Sequence, residues 1–310
     1  MLKFKFFSKK TQHNSPKLKL KPGEVVEVKD QSEILSTLDE HGAYKGLAFT
    51  TEMQRYCGKR FKVLKRVNKL LIEGIGVLRR IEDTVILDGA ICTGKFHNGC
   101  GKSCPLLWKE AWLKRINSKD FKRFKGQVNN INGKIPNCQA TSLIKATMPI
   151  KVWNFWHYFW EINSEEIRGI ESLTKIVQLI KFKVNQLVKP SKFQLKGKRN
   201  ITPVEVLDLK PGEIVEVKSR EEILETLDSK GRNHGLEFMP EMLKFCGKRF
   251  KVLKRVGKIT VDTTGEMLLM PNTVILEGAY CDGVAHRGCQ RMCFFLWREI
   301  WLRRVEEKAK

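Results

Sequence analysis

Residues 57–67 read CGKRFKVLKRV, and residues 246–256 read the same letters unchanged. The offset of 189 positions continues outward in both directions. KPGEVVEVK at 21–29 is matched by KPGEIVEVK at 210–218, and TVILDGA at 84–90 by TVILEGA at 273–279. Residues 18–116 align with 207–305 without a gap, and about half of the positions are identical. A unit of about 100 residues is the size of a small domain. The chain therefore reads as two tandem copies, each able to fold alone, and two copies are too few for a solenoid.

Within one copy, GEVVEVK alternates apolar and charged residues, the pattern of a half-buried strand. Asp30-x-x-Glu33 and Ser219-x-x-Glu222 read as capping boxes that open a short helix. KRFKVLKRV alternates again, with Phe61, Val63 and Val67 on one side and Arg60, Lys62 and Arg66 on the other. The second copy repeats the basic set as Arg249, Lys251 and Arg255. These six residues form either a solvated strand face or a polyanion-binding ladder. A turn at EGIG or TTGE leads into the strand TVILDGAIC or TVILEGAYC, so the two strands form a hairpin. Extending the antiparallel register sets Cys57 opposite Cys92 and Cys246 opposite Cys281. Each copy closes on LWKEAWLKRI or LWREIWLRRV, whose tryptophans are expected in the core.

Short strands, glycine turns and a basic hairpin predict a mainly β fold with some α. The expected architecture is two tandem SH3-like small barrels with cysteine-rich metal-binding insertions, joined by a helical and aromatic connector. The expected limits are a basic tail over 1–17, repeat one over 18–116, the connector over 117–206, repeat two over 207–305 and a short tail over 306–310. In the connector, VWNFWHYFWEI at 152–162 is aromatic, and apolar residues from Ile167 to Leu187 recur at helical spacing before Pro190.

The cysteine phrases carry the chemistry. CTGKFHNGCGKSC at 92–104 and CDGVAHRGCQRMC at 281–293 share the spacing C-x(4)-H-x(2)-C-x(3)-C. Thiolates and imidazole suit a tetrahedral zinc, and a closed four-ligand site is structural, not catalytic. The hairpin register adds a fifth candidate to each site. One ligand set is Cys57, Cys92, Cys100 and Cys104; the other is Cys92, His97, Cys100 and Cys104. The corresponding residues in repeat two are Cys246, Cys281, His286, Cys289 and Cys293. The all-cysteine set is preferred, because Cys57 would otherwise be a bystander beside a thiolate site in both copies. Two zinc ions per chain are expected; iron or an iron–sulfur cluster is the alternative, and disulfides a third reading. Cys138 and the histidines 13, 41, 157 and 234 have no partner at the offset and read as ordinary residues.

Composition bounds the setting. The chain has 310 residues, no apolar run of membrane-spanning length and no secretory signal pattern at its start, so cytoplasm is the expected compartment. Stable disulfides are rare there, which favours metal for clustered cysteines. The net charge of +24 attracts polyanions such as nucleic acid, and a peripheral membrane contact fits the basic start. There is no HExxH, P-loop or GxSxG, so the chain reads as a non-enzyme.

The stretches FMPEMLKFCGKRFKVLKRV, NTVILEGAYCDGVAHRGCQRMCFFLWREIWL and CQATSLIKAT resemble an uncharacterised family of bacterial proteins with a duplicated cysteine-rich repeat. The resemblance covers both repeats and part of the connector, and implies a bacterial cytosol. The leading expectation is a metal-stabilised binding or scaffold protein with two modules and a protein partner. The alternatives are a nucleic-acid binder and a metal-dependent or redox accessory to polysaccharide or secondary-metabolite biosynthesis.

Overall fold

The computed structural model describes residues 17–116, 138–150, 195–283, 285–286 and 288–305. The N-terminal tail to residue 16, the aromatic run at 152–162 and the helix expected from Ile167 to Leu187 lie outside the described residues. No helix among the described residues is long and apolar enough to cross a membrane.

The fold is mainly β. The first unit runs β1 (Val25–Val28), α1 (Gln31–Thr37), β2 (Ala43–Tyr44), β3 (Leu47–Ala48), a 3-10 helix (Thr51–Tyr56), β4 (Arg60–Leu71), β5 (Leu78–Ile91), β6 (Pro105–Lys109), a 3-10 turn (Glu110–Trp112) and β7 (Leu113–Arg115). Its sheet order is β6-β5-β4-β1-β7. Both capping boxes form: the Asp30 N–H donates to Glu33 at 3.1 Å, and the Ser219 N–H to Glu222 at 2.9 Å. Part of the expected connector packs on this unit. A short helix α2 (Leu143–Ala146) leads into β8 (Met148–Pro149), which pairs with β5. Gln139 sits behind β6, accepting the Leu107 N–H at 2.8 Å and donating to the Leu107 and Ala48 carbonyls.

The second unit repeats the order: β9 (Ile214–Val217), α3 (Arg220–Leu224), β10 (Arg232–Asn233), β11 (Leu236–Glu237), a 3-10 helix (Pro240–Phe245), β12 (Arg249–Arg255), β13 (Lys258–Thr260), β14 (Met267–Leu269), β15 (Thr273–Leu276), β16 (Trp297–Arg298), a 3-10 turn (Glu299–Trp301) and β17 (Leu302–Arg304). Its sheet order, β16-β15-β12-β9-β17, is that of the first unit.

Trp108, Trp112, Trp297 and Trp301 are fully buried. Between each pair lies a buried glutamate that ties down the approach to the first strand. Glu110 accepts the N–H groups of Lys19 and Leu20; Glu299 accepts those of Leu207, Asp208 and Leu209. Their charge is met by Arg66 and Arg255, respectively.

The two units are joined reciprocally. Gly101 N–H donates to the Lys258 carbonyl at 2.8 Å, and Gln290 N–H to the Lys69 carbonyl at 3.1 Å. These contacts are related by the 189-residue offset, so each cysteine loop lies on the other unit's hairpin. The arrangement is isologous, as in a two-fold dimer, but built from one chain. The junction is sealed by ions. Lys102 bridges Glu73 and Asp262, and Arg291 binds Asp262. Burial works against the Asp262 carboxylate, but Arg291 and Lys102 outweigh it and hold it below the usual carboxylate range.

Candidate metal centre

The loop between β5 and β6 is closed at its base by the Cys92 N–H donating to the Cys104 carbonyl at 2.9 Å. Inside it, Gly99 N–H reaches the Gly94 carbonyl at 2.9 Å and Cys100 N–H the His97 carbonyl at 3.3 Å. Gly94 has φ of +76°, and a Cβ there would fall 1.9 Å from the Cys100 carbonyl oxygen. Only glycine permits this fold of the loop. Repeat two reproduces it: Cys281 N–H donates to the Cys293 carbonyl at 2.9 Å, Gly288 N–H to the Gly283 carbonyl at 2.8 Å, and a Cβ on Gly283 would again fall 1.9 Å from the Cys289 carbonyl oxygen.

This folding gathers Cys92 and His97, whose Sγ and Nε2 are 3.0 Å apart. Glu52, on the 3-10 helix before β4, joins them. Its Oε1 accepts the Thr93 N–H at 2.7 Å and its Oε2 faces the Cys92 thiol at 3.4 Å. In repeat two, Cys281 meets His286 through Nδ1 at 3.3 Å and Glu241 at 3.3 Å. In both groups, Glu52–Cys92–His97 and Glu241–Cys281–His286, the donor atoms lie within 4.8 Å of one another, a spacing that could hold a metal ion.

Cys100 and Cys289 serve both the loop and the junction. The Thr260 N–H donates to Cys100 Sγ at 3.3 Å, and the Leu71 N–H to Cys289 Sγ at 3.2 Å, across the two units. Burial pushes the Cys100 thiol up, but bonds from His97 and from the Lys102 and Thr260 N–H groups outweigh it and bring it down to about 6. Cys92 and Cys104 move the other way. Burial raises both, reinforced at Cys92 by the Glu52 carboxylate and Cys104. Burial pushes Cys293 up to about 12. Thiols kept protonated mainly by burial, with a carboxylate beside one of them, are the electrostatic condition a divalent cation reverses. The buried His97 ring also leaves Nδ1 without a partner. The donor set therefore fits a metal.

Cys104 lines the same cavity as Cys92, His97 and Cys100, as does Cys138. Cys138 reads as incidental in sequence, yet Gln139 anchors its segment and brings it to this wall. Of the remaining candidates, all outside both groups, Cys100 and Cys104 line the cavity with Cys92 and His97, whereas Cys57 does not; Cys57 and Cys246 also lie outside the cysteine loops. Each caps the end of a 3-10 helix, and burial, helped by the Asp30 carboxylate, pushes the Cys57 thiol up to about 12. The register that would set Cys57 against Cys92 stops short. β4 pairs with β5 from Val63 to Leu71 with two irregularities, while Arg60 to Lys62 pair with β1. On the other edge of β5, its last residue Ile91 pairs with Pro105 of β6.

Glu52 and Glu241 are missing from the sequence-based ligand sets. The 189-residue offset marks them, since TEM and PEM keep the glutamate in both copies. Of the basic ladder, Arg60 pairs with Glu27, Arg66 with Glu110, Arg249 with Glu216 and Arg255 with Asp208. Lys62 and Lys251 are exposed.

Comparisons with protein-family models, curated proteins and solved structures found no match to this chain.

Proposed function

We propose that this chain is a non-enzymatic binding or scaffold protein in which two zinc ions staple two SH3-like modules face to face. The observation that carries the reading is the pair of reciprocal N–H donations to Cys100 and Cys289, which puts each cysteine loop at the junction of the units. A zinc in each loop would be held by Cys92, His97, Cys100 and Cys104, or by Cys281, His286, Cys289 and Cys293. Glu52 and Glu241 stand beside these sets as fifth donors or as acceptors that orient them. A closed set of this kind supplies folding energy and leaves no open position for a reacting group. The strand order, with a 3-10 turn before the last strand, supports the SH3-like reading of each unit.

X-ray absorption at the zinc edge of anaerobically purified full-length protein tests this. A shell of three sulfurs and one nitrogen supports the reading. An iron edge, or zinc ringed only by light atoms, contradicts it.

A polyanion-binding role is favoured by one observation, the net charge of +24. Log affinity for random polynucleotide then falls linearly with log salt, with a slope of several units. Absence of binding at low salt removes it.

A further inference from the structure

The two units treat one buried cation differently. In the first, Lys109 ends β6 and is 1% exposed. Its ammonium donates to the Glu82 carbonyl at 2.7 Å; the Asp83 carboxylate favours its charge from nearby without forming an ion pair with it. Asp83 pairs with Lys17 and Lys45, each at 3.5 Å. The Lys45 ammonium also lies over the Tyr44 ring, 5.6 Å from its centroid, and that ring packs against Trp112 with centroids 6.5 Å apart. At the 189-residue offset, Lys109 becomes Arg298, Asp83 becomes Asn272, Lys45 becomes His234 and Tyr44 becomes Asn233. The second unit keeps the cation and loses both the carboxylate and the ring.

Arg298 is 6% exposed. Its guanidinium donates to the Pro271 carbonyl at 2.6 Å, the Thr273 hydroxyl at 3.0 Å and the His234 carbonyl at 2.8 Å. Its Nε–H has no partner. Among the described residues no carboxylate pairs with it, and burial alone acts on its charge. A cavity opens at this point, lined by Val204, Asn233, His234, Asn272 and Arg298. Glu205 and Glu299 also border it, but both are engaged. Glu205 pairs with Lys218 at 2.6 Å; Glu299 takes three backbone N–H groups and pairs with Arg255 at 3.4 Å.

Burying a cation without a counter-charge is costly. Guanidinium, with its planar fork of N–H donors, is matched in shape and charge by a carboxylate. We propose that the cavity of the second unit binds the carboxylate group of an external ligand, which meets the unpartnered Nε–H of Arg298 and supplies the nearby negative charge that Asp83 supplies in the first. The neighbouring Glu205 and Glu299 favour a monoanion over a phosphate dianion. The cavity lining shares no residue with either metal loop, so carboxylate binding and metal binding are separable.

The test is acetate titration of the full-length, metal-loaded protein at ionic strength held constant with chloride. The Arg298 Nε–H resonance and the melting temperature are followed. Acetate shifts both in the parent. Asn272→Asp restores the internal carboxylate in a backbone slot that already tolerates it, since Asn272 has φ of +48° and Asp83 of +50°. That variant melts higher than the parent and binds acetate at least about tenfold more weakly, because a second carboxylate now repels it. A short peptide with one aspartate between apolar residues is the second probe. Binding tighter than acetate assigns the carboxylate to a protein partner, and equal binding to a small molecule. A parent that responds no more to acetate than to chloride, or an Asn272→Asp variant that responds as the parent does, overturns the proposal.

Discussion

In the first unit β4 and β5 run for 12 and 14 residues as one long hairpin, whereas the matching stretch of the second is cut into four short strands. The cuts fall where Gly257 replaces Asn68 and Pro271 replaces Glu82. Glycine weakens a strand and proline cannot donate to the ladder. The reciprocal contacts survive the cuts, since Lys258 and Thr260 on β13 still meet the first loop. Strand continuity has therefore drifted between the copies, while the loop and its landing strip have not. The cysteine loops and the strand segments they land on, not the length of the hairpins, fix how the units sit.

Removing the metal is expected to have the largest effect. Structural zinc contributes roughly 10–16 kcal/mol in small domains, against a whole-domain stability of about 5–15 kcal/mol. Chelation under reducing conditions should collapse the near-ultraviolet circular dichroism of the four buried tryptophans in one transition. Two separate transitions would mean that each loop serves only its own unit.

The ion cluster at the junction sharpens the comparison next. Asp262 has a fully buried side chain, whereas its counterpart Glu73 is 47% exposed. Asp262→Asn leaves Arg291 and Lys102 without their buried partner and should cost about 3–5 kcal/mol. Glu73→Gln should cost under about 1 kcal/mol. Urea unfolding of both variants checks this, and equal losses would break the asymmetry.

Lys109 and Arg298 differ in titration. Burial lowers Lys109 to about 8, with Asp83 opposing. A cation whose folded pKa is depressed penalises the fold fully below about pH 8, and the penalty fades as pH rises to the ordinary lysine value near 10.4. Lys109→Arg copies the second unit and titrates outside that window. The stability gained by the parent relative to Lys109→Arg between pH 8 and 10.4 should amount to a few kcal/mol. Parallel pH curves for the two proteins would contradict this.

The smallest effect is expected at Cys57 and Cys246. Serine at either position should retain the full metal content and shift stability by about 1 kcal/mol or less, whereas Cys92→Ser or Cys281→Ser should lose a metal. A metal lost from Cys57→Ser would restore the all-cysteine set.

Much of this was legible in the sequence because the chain carries its own comparison. The 189-residue offset exposed the duplicated loops, and Asp30-x-x-Glu33 announced its helix through local chemistry. The position of Cys57 was not legible, because the β4–β5 ladder ends at Val63 and its two irregularities shift the register that extrapolation from the turn assumes. Glu52 was invisible to spacing rules, since the 3-10 helix that carries it approaches the loop from 40 positions away. Arg66 and Arg255 read as a solvated face or a polyanion-binding ladder because alternation does not reveal a buried glutamate such as Glu110 or Glu299 as their partner.

The central claim is that each of the two loops holds one metal ion. Elemental analysis of the full-length protein, purified without air, measures this directly. The account predicts two metal ions per chain, with all nine cysteines reduced. A metal-free protein, or one whose loop cysteines are joined in disulfides, would contradict it.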